Sequence, residues 1–234
     1  MKIATRDLEV IAFVARFGQV TRKQIRETVF AANKSATPCD RVVSALVKDK
    51  MLAEVGRPVR GGRYGGQGPI IYQIGPAGWN AAKTEGSFWL SRSIKPHSLA
   101  IAEVYVDISS RLKVIRFEAE PDSHTRVNYV PLNPDMYMEL EINGQRARVW
   151  LEIDLGSERP KQLKEKMERY CHAWNGAGKT WTPFPWVWFV VPDLRRQREI
   201  ESLIRLQPID AQPMFHASTF ESLVSDLVAE PLRT

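Results

Sequence analysis

Between Met51 and Ile74, two short apolar runs, MLAEV and PIIYQI, flank the segment RPVRGGRYGGQG. No other stretch narrows the fold as much. Gly61, Gly62, Gly65 and Gly66 bar a helix there, because glycine loses the most backbone freedom on ordering. Two strand-length runs joined this way are predicted to pair as a hairpin. Its tip carries Arg57, Arg60, Arg63 and Tyr64. Arginines on a glycine-rich loop can bind phosphate or enter a narrow minor groove. The glycines do not form a nucleotide-binding P-loop, since no GK[ST] follows and no helix opens there.

Three short helices are predicted before this hairpin. Residues 5–17 space Leu8, Ile11, Val14 and Ala15 helically, and Gly18 stops them. Thr21 can cap RKQIRETVF, which buries Ile25 and Val29 or Phe30. Thr37 is read as the cap of a third helix, with Pro38 in its first turn and Asp40 at the positive end, running to about Lys50. Val42, Val43, Leu46 and Val47 are expected to pack inward, leaving Arg41, Ser44 and Lys48 as a polar stripe. Such a stripe, with Thr37 at its start, suits contact with phosphates and base edges in a major groove. Three helices followed by a basic hairpin, closed by Gly75-Pro76-Ala77-Gly78-Trp79, is the order of a winged helix-turn-helix domain, expected over residues 1–85.

The charge agrees with a polyanion partner. Residues 1–96 hold 16 Lys+Arg against 7 Asp+Glu, a net of +9, and the remainder is −3 within a total of +6. Residues 86–96 are read as a linker. The two cysteines, Cys39 and Cys171, lie far apart with no CxxC pair and are read as reduced structural thiols. No apolar run approaches the ~20 residues of a membrane span. The start, MKIATRDLEV, is interrupted by Arg6, Asp7 and Glu9, so it does not read as a secretory signal and a cytoplasmic location is expected.

Residues 97–234 are predicted to alternate helix and strand: helix 97–111, strands 114–120, 136–142 and 147–155, helix 159–174, strand 186–191, helix 195–205, strand 214–218 and helix 220–229. That order implies an α/β domain with a mixed sheet, and an α+β chain of two domains overall. Asn143-Gly144 marks a hairpin. Asp135 opens one of its strands, and Glu152 and Asp154 share a face of the other by alternation. Converging carboxylates can hold Mg²⁺ or Mn²⁺ and activate water against a phosphodiester.

The arrangement of Asp135, Glu152-Ile153-Asp154 and a preceding helix with Glu103 resembles the PD-(D/E)XK nuclease fold. That resemblance implies metal ligation by Glu103, Asp135 and Glu152, with Asp154 where the catalytic lysine would stand. Lys166, on the next helix, is the substitute cation it suggests. The whole layout also resembles the replication-relaxation family of plasmids and integrative elements. The residues that carry this are His97-Ser98-Leu99, Pro134-Asp135, Glu152-Ile-Asp154-Leu-Gly156-Ser-Glu158 and Lys166-Met-Glu-Arg-Tyr170. It implies an accessory factor that binds double-stranded DNA in a sequence-directed way during replication or mobilisation, with a degenerate nuclease-like domain. Replication or conjugation proteins are its implied further partners, and a homodimer is a compatible state. The alternatives are a Mg/Mn-dependent DNA endonuclease and a transcriptional regulator whose C-terminal domain dimerises.

Overall fold

A computed structural model describes residues 3–58, 68–82, 88–176 and 181–230. The chain divides into two compact units, Met1–Val106 and Asp107–Thr234.

The first unit begins with α1 (Thr5–Phe17), β1 (Gln19–Thr21), α2 (Arg22–Thr28) and α3 (Thr37–Lys48). β2 (Leu52–Gly56), β3 (Ile71–Ile74) and α4 (Pro76–Ala82) follow. Helix α5 (Pro96–Arg111) contains the boundary between the units. The strands form an antiparallel sheet in the order β1-β3-β2. Gly18 ends α1 at φ 72, its N–H returned to the Val14 carbonyl. Thr21 and Gln24 cap α2 reciprocally: Thr21 Oγ1 accepts the Gln24 N–H at 3.2 Å, and Gln24 Oε1 accepts the Thr21 N–H at 2.9 Å. α3 differs from expectation at its start. Ala36, not Thr37, is its N-cap and gives no side-chain bond. Pro38 lacks an N–H, so one of the donors a cap would satisfy is absent.

β1 is an element that periodicity does not reveal, since three residues are too few to show a pattern. It shapes the unit nonetheless. Buried Gln19 bonds the Ser93 carbonyl and the Lys95 N–H, and Gln73 on β3 bonds both the N–H and the carbonyl of Ser91. Residues 91–95, expected as linker, are thereby tied to the sheet of the first unit. The start of α5 is held as well, with Gln24 Nε2 donating to the Leu99 carbonyl at 3.0 Å. Tyr105 packs against the rings of Phe13 and Phe17. The glycine of Pro76-Ala77-Gly78 is required by packing, because a Cβ there would stand 2.1 Å from the Met51 carbonyl oxygen.

The second unit is built on a five-stranded mixed sheet. Its strands are β4 (Lys113–Ala119), β7 (Met136–Ile142), β8 (Gln145–Ile153), β9 (Trp186–Val191) and β10 (Phe215–Thr219), in the order β10-β9-β8-β7-β4. β8, β9 and β10 run parallel, while β4, β7 and β8 pair antiparallel. Asn143 and Gly144 turn the β7–β8 hairpin with φ of 52 and 77. The helices are α6 (Pro160–Asn175), α7 (Leu194–Ile204) and α8 (Leu223–Ala229). β9, WVWFVV, is buried along its whole length, as a central strand covered on both faces should be. The stretch 121–133 contains a small hairpin of β5 (Thr125–Val127) and β6 (Val130–Leu132). Val127 and Leu132 join Trp150, Met167, Tyr170 and Phe189 in the core. Among the described residues, no helix is long and apolar enough to cross a membrane.

Candidate nucleic-acid interface and carboxylate site

α3 has two distinct faces. Cys39, Val43 and Leu46 are buried, at spacings of four and three residues, with Val42 and Val47 half-buried beside them. Thr37, Arg41, Ser44 and Lys48 are all exposed. The helix is fixed by a residue the sequence reading did not single out. Arg22 at the start of α2 donates to Asp40 on α3 at 3.2 Å and to the Tyr72 hydroxyl on β3 at 2.6 Å. Its guanidinium also lies 5.5 Å from the Tyr72 ring centroid. Arg57 is exposed after β2 and donates to the Gly68 carbonyl at 3.0 Å. Arg60, Arg63 and Tyr64 lie outside the described residues.

In the second unit, Asp135 stands just before β7 and Glu152 near the end of the adjoining β8. Both are buried, with 9% and 2% of their surface exposed. Asp135 Oδ2 accepts the Ile153 N–H at 2.6 Å, which locks its carboxylate to β8. Glu152 Oε1 accepts the Tyr170 hydroxyl at 2.6 Å, and its Oε2 accepts Lys166 Nζ at 2.8 Å. Burial pushes the Glu152 carboxyl up to about 7; the nearby Asp135 charge adds to this, and Lys166 and Tyr170 oppose it. The Lys166 ammonium is held above its ordinary range, as its attraction to Glu152 and Glu158 outweighs its desolvation. Lys166 Nζ also donates to Glu158 at 2.9 Å. The lysine of α6 therefore reaches back to the strand carboxylate. Gln162 does not share that face: it is exposed, and its side chain instead accepts the Arg159 N–H. Leu163, Met167 and Tyr170 form the buried stripe of α6.

Of the expected ligands in the second unit, Asp154 turns away from Asp135 and Glu152. β8 ends at Ile153, so the alternation that puts Glu152 and Asp154 on one face stops before Asp154. Asp154 Oδ2 instead accepts Arg196 Nε of α7 at 2.6 Å, and its Oδ1 accepts the Gly156 N–H at 2.8 Å. Glu103 belongs to the first unit, where it accepts Gln24 Nε2 at 2.9 Å and Lys23 Nζ at 3.3 Å. Its side chain is 46% exposed. Among the described residues, no three His, Cys, Asp or Glu side chains are grouped to hold a metal ion. Asp135 and Glu152 remain as a pair. Two carboxylates match the needs of a Mg²⁺-type ion, which keeps several waters and takes its other oxygens from phosphate. Glu158 was legible only as a motif letter. Arg196 gave no sequence signal, because it lies 42 residues from Asp154.

The pattern of the replication-relaxation family matches residues 11–185 of this chain. A search of curated proteins returned no match. Among solved structures, restriction endonuclease FokI bound to DNA is similar at 10% identity and a TM-score of 0.32. That alignment covers 94% of this chain, which spans 43% of the length of the FokI chain. The family match runs from α1 through Asp135, Glu152, Lys166 and Tyr170 to the approach to β9, and the protein belongs to the replication-relaxation family.

Proposed function

We propose that this protein is a sequence-directed, double-stranded DNA-binding accessory factor for the replication or mobilisation of a plasmid or integrative element. Its first unit acts as a winged helix-turn-helix module, with α3 as recognition helix. Its second unit is a nuclease-like domain of the PD-(D/E)XK kind. The observation that carries the reading is the two-sided α3. Thr37, Arg41, Ser44 and Lys48 meet solvent on one side while Cys39, Val43 and Leu46 anchor the other. A helix held this way can enter a major groove without losing its packing. The net charge of +9 over residues 1–96 supplies the long-range attraction to phosphate. The test is selection from a random duplex pool. The full-length protein is expected to enrich a defined sequence, and an Arg41→Ala, Ser44→Ala variant is expected to bind without enriching it. Equal enrichment by both would remove α3 as the reader.

One observation favours a second reading, metal-dependent phosphodiester cleavage. Lys166 stands 2.8 Å from Glu152, so a cation is present beside the carboxylates although Asp154 occupies the usual lysine position. Asp135 and Glu152 would hold Mg²⁺ or Mn²⁺, which would supply an activated water and charge stabilisation. Lys166 would then face the developing negative charge of the phosphate. Its two present carboxylate partners compete for that role, so cleavage is expected to be slow or absent. Incubation with supercoiled plasmid and Mn²⁺ decides the matter. Robust nicking that Asp135→Ala and Glu152→Ala both abolish would make this the main activity.

A further inference from the structure

We infer that Arg196 is a positioning residue: it clamps the loop between β8 and α6 so that Glu158 presents Lys166 to Glu152. The purpose of this device rests on the cleavage reading above, whereas the positioning is read from the bonds themselves.

The starting point is the acid at position 154. An anion there cannot stabilise developing negative charge, and with 2% of its surface exposed it needs a partner. Arg196 supplies that partner and does more. Its side chain is 10% exposed and its guanidinium bonds in three directions. Nε donates to Asp154 Oδ2 at 2.6 Å, Nη2 to the Glu158 carbonyl at 2.6 Å, and Nη1 to Glu199 at 2.9 Å. The rigid fork thus spans both ends of the loop from 154 to 158. Between those ends, Gly156 takes φ 85, and its N–H closes the turn on Asp154 Oδ1. Asp154 is fixed at its root as well, its N–H donating to the Val190 carbonyl of β9.

The consequence falls on Glu158. Its side chain is 30% exposed, so its own burial does not fix it. Its backbone is held by Arg196, and its carboxylate accepts Lys166 Nζ at 2.9 Å. Lysine carries a long flexible stem, and here two carboxylates from different segments fix its end. The cation missing from the strand is therefore delivered from α6, and the acid in its place recruits the arginine that steadies the delivery. Within the segment Glu152-Ile-Asp154-Leu-Gly156-Ser-Glu158, each of the two later acids has a separate task.

The test is nitrogen-15 NMR of the lysine ammonium groups in the full-length protein, with the Lys166 signal assigned by its loss in Lys166→Arg. An ammonium held by two carboxylates exchanges slowly with water and gives a cross-peak, whereas exposed lysines do not. Arg196→Met is expected to lose that cross-peak while the backbone amide spectrum persists. Ile200→Ala, which removes buried packing from the same helix but none of the bonds above, is expected to keep it. Should Arg196→Met fail to fold, Asp154→Asn keeps the shape, removes the charge and is expected to speed Lys166 exchange. Arg196→Lys restores a charge at Asp154 without the fork and is expected to recover the signal in part. Three results would each overturn the inference: no Lys166 cross-peak in the wild type, its unchanged exchange in Arg196→Met or Asp154→Asn, or its loss in Ile200→Ala. Plasmid nicking is scored separately, so a positioned lysine in a protein that does not cleave would sink the cleavage reading alone.

Discussion

The cations of α3 and those of the second-unit site obey opposite rules. Arg41 and Lys48 stand in water on an exposed helix face. Lys166 and Arg196 are mostly buried, and each bonds two carboxylates. The first pair is available to an outside anion at little cost, and salt screens it strongly. The second pair is committed to anions of the chain, is screened less, and cannot be removed without stranding a buried charge. The presence of cations alone would mark both regions as places for phosphate. Burial separates them: one face is ready for a ligand, and the other must give up internal bonds to accept one.

Removing Lys166 should sharpen this contrast most. Lys166→Met leaves Glu152 buried beside Asp135 and is expected to cost about 3 kcal/mol at pH 8, in the range for breaking a buried pair. Lys48→Met on the exposed face is expected to stay within about 0.5 kcal/mol. Urea unfolding measures both, and equal costs would break the comparison. The Lys166→Met loss should shrink at pH 5, because Glu152 can then take up a proton. The wild type is expected to follow the same linkage. The folded-state value of Glu152 lies above its unfolded one, so its contribution to stability is full below about pH 4.5 and is lost as pH rises through about 7.

Arg22 tests whether the α3 face depends on what lies beneath it. It joins α2 to Asp40 and Tyr72 by two charge-assisted bonds. Arg22→Ala is expected to cost about 2 kcal/mol of stability, against almost none for Arg41→Ala. Thermal unfolding of the two variants in parallel reads the difference. A null result for Arg22 would show that helix packing alone sets the face.

The smallest effect expected concerns metal. A divalent ion held by Asp135 and Glu152 would compete with the Glu152 proton, whose affinity corresponds to about 7. Mn²⁺ affinity should fall on the order of tenfold per pH unit below that value, about 1.4 kcal/mol, and level off above it. Calorimetry from pH 5.5 to 8.5 checks this, and a flat profile would place the ion elsewhere.

Much of this was legible in the chain, for identifiable reasons. The order of helices and strands follows from hydrophobic period and turn residues, as at Gly18, Asn143-Gly144 and the apolar run of β9. Lys166 and Tyr170 are four apart on one helix, so their shared approach to Glu152 could be anticipated. The failures have a common cause. Asp154 was assigned by strand alternation, but the strand ends one residue earlier, and a partner 42 positions away decides its direction. Glu103 was placed by analogy, whereas Lys23 and Gln24, some 80 positions earlier in the chain, bond its carboxylate. The supposed linker is bound by Gln19 and Gln73, two polar residues whose burial no local pattern reveals. Local rules carried as far as local forces do, and the remainder was set by tertiary bonds.

The central claim is that the α3 face, and not the buried cluster, meets DNA. It is tested most directly by the salt dependence of duplex binding, measured by fluorescence anisotropy with the full-length protein. Each phosphate contact contributes about −0.9 to the slope of log affinity against log salt. Relative to wild type, Lys48→Ala is expected to make the slope shallower by about one unit, with weaker binding to every sequence. Lys166→Met, which removes the charge at the buried site, is expected to leave the slope unchanged. A Lys48→Ala slope identical to wild type, together with a reduced slope in Lys166→Met, would contradict the account.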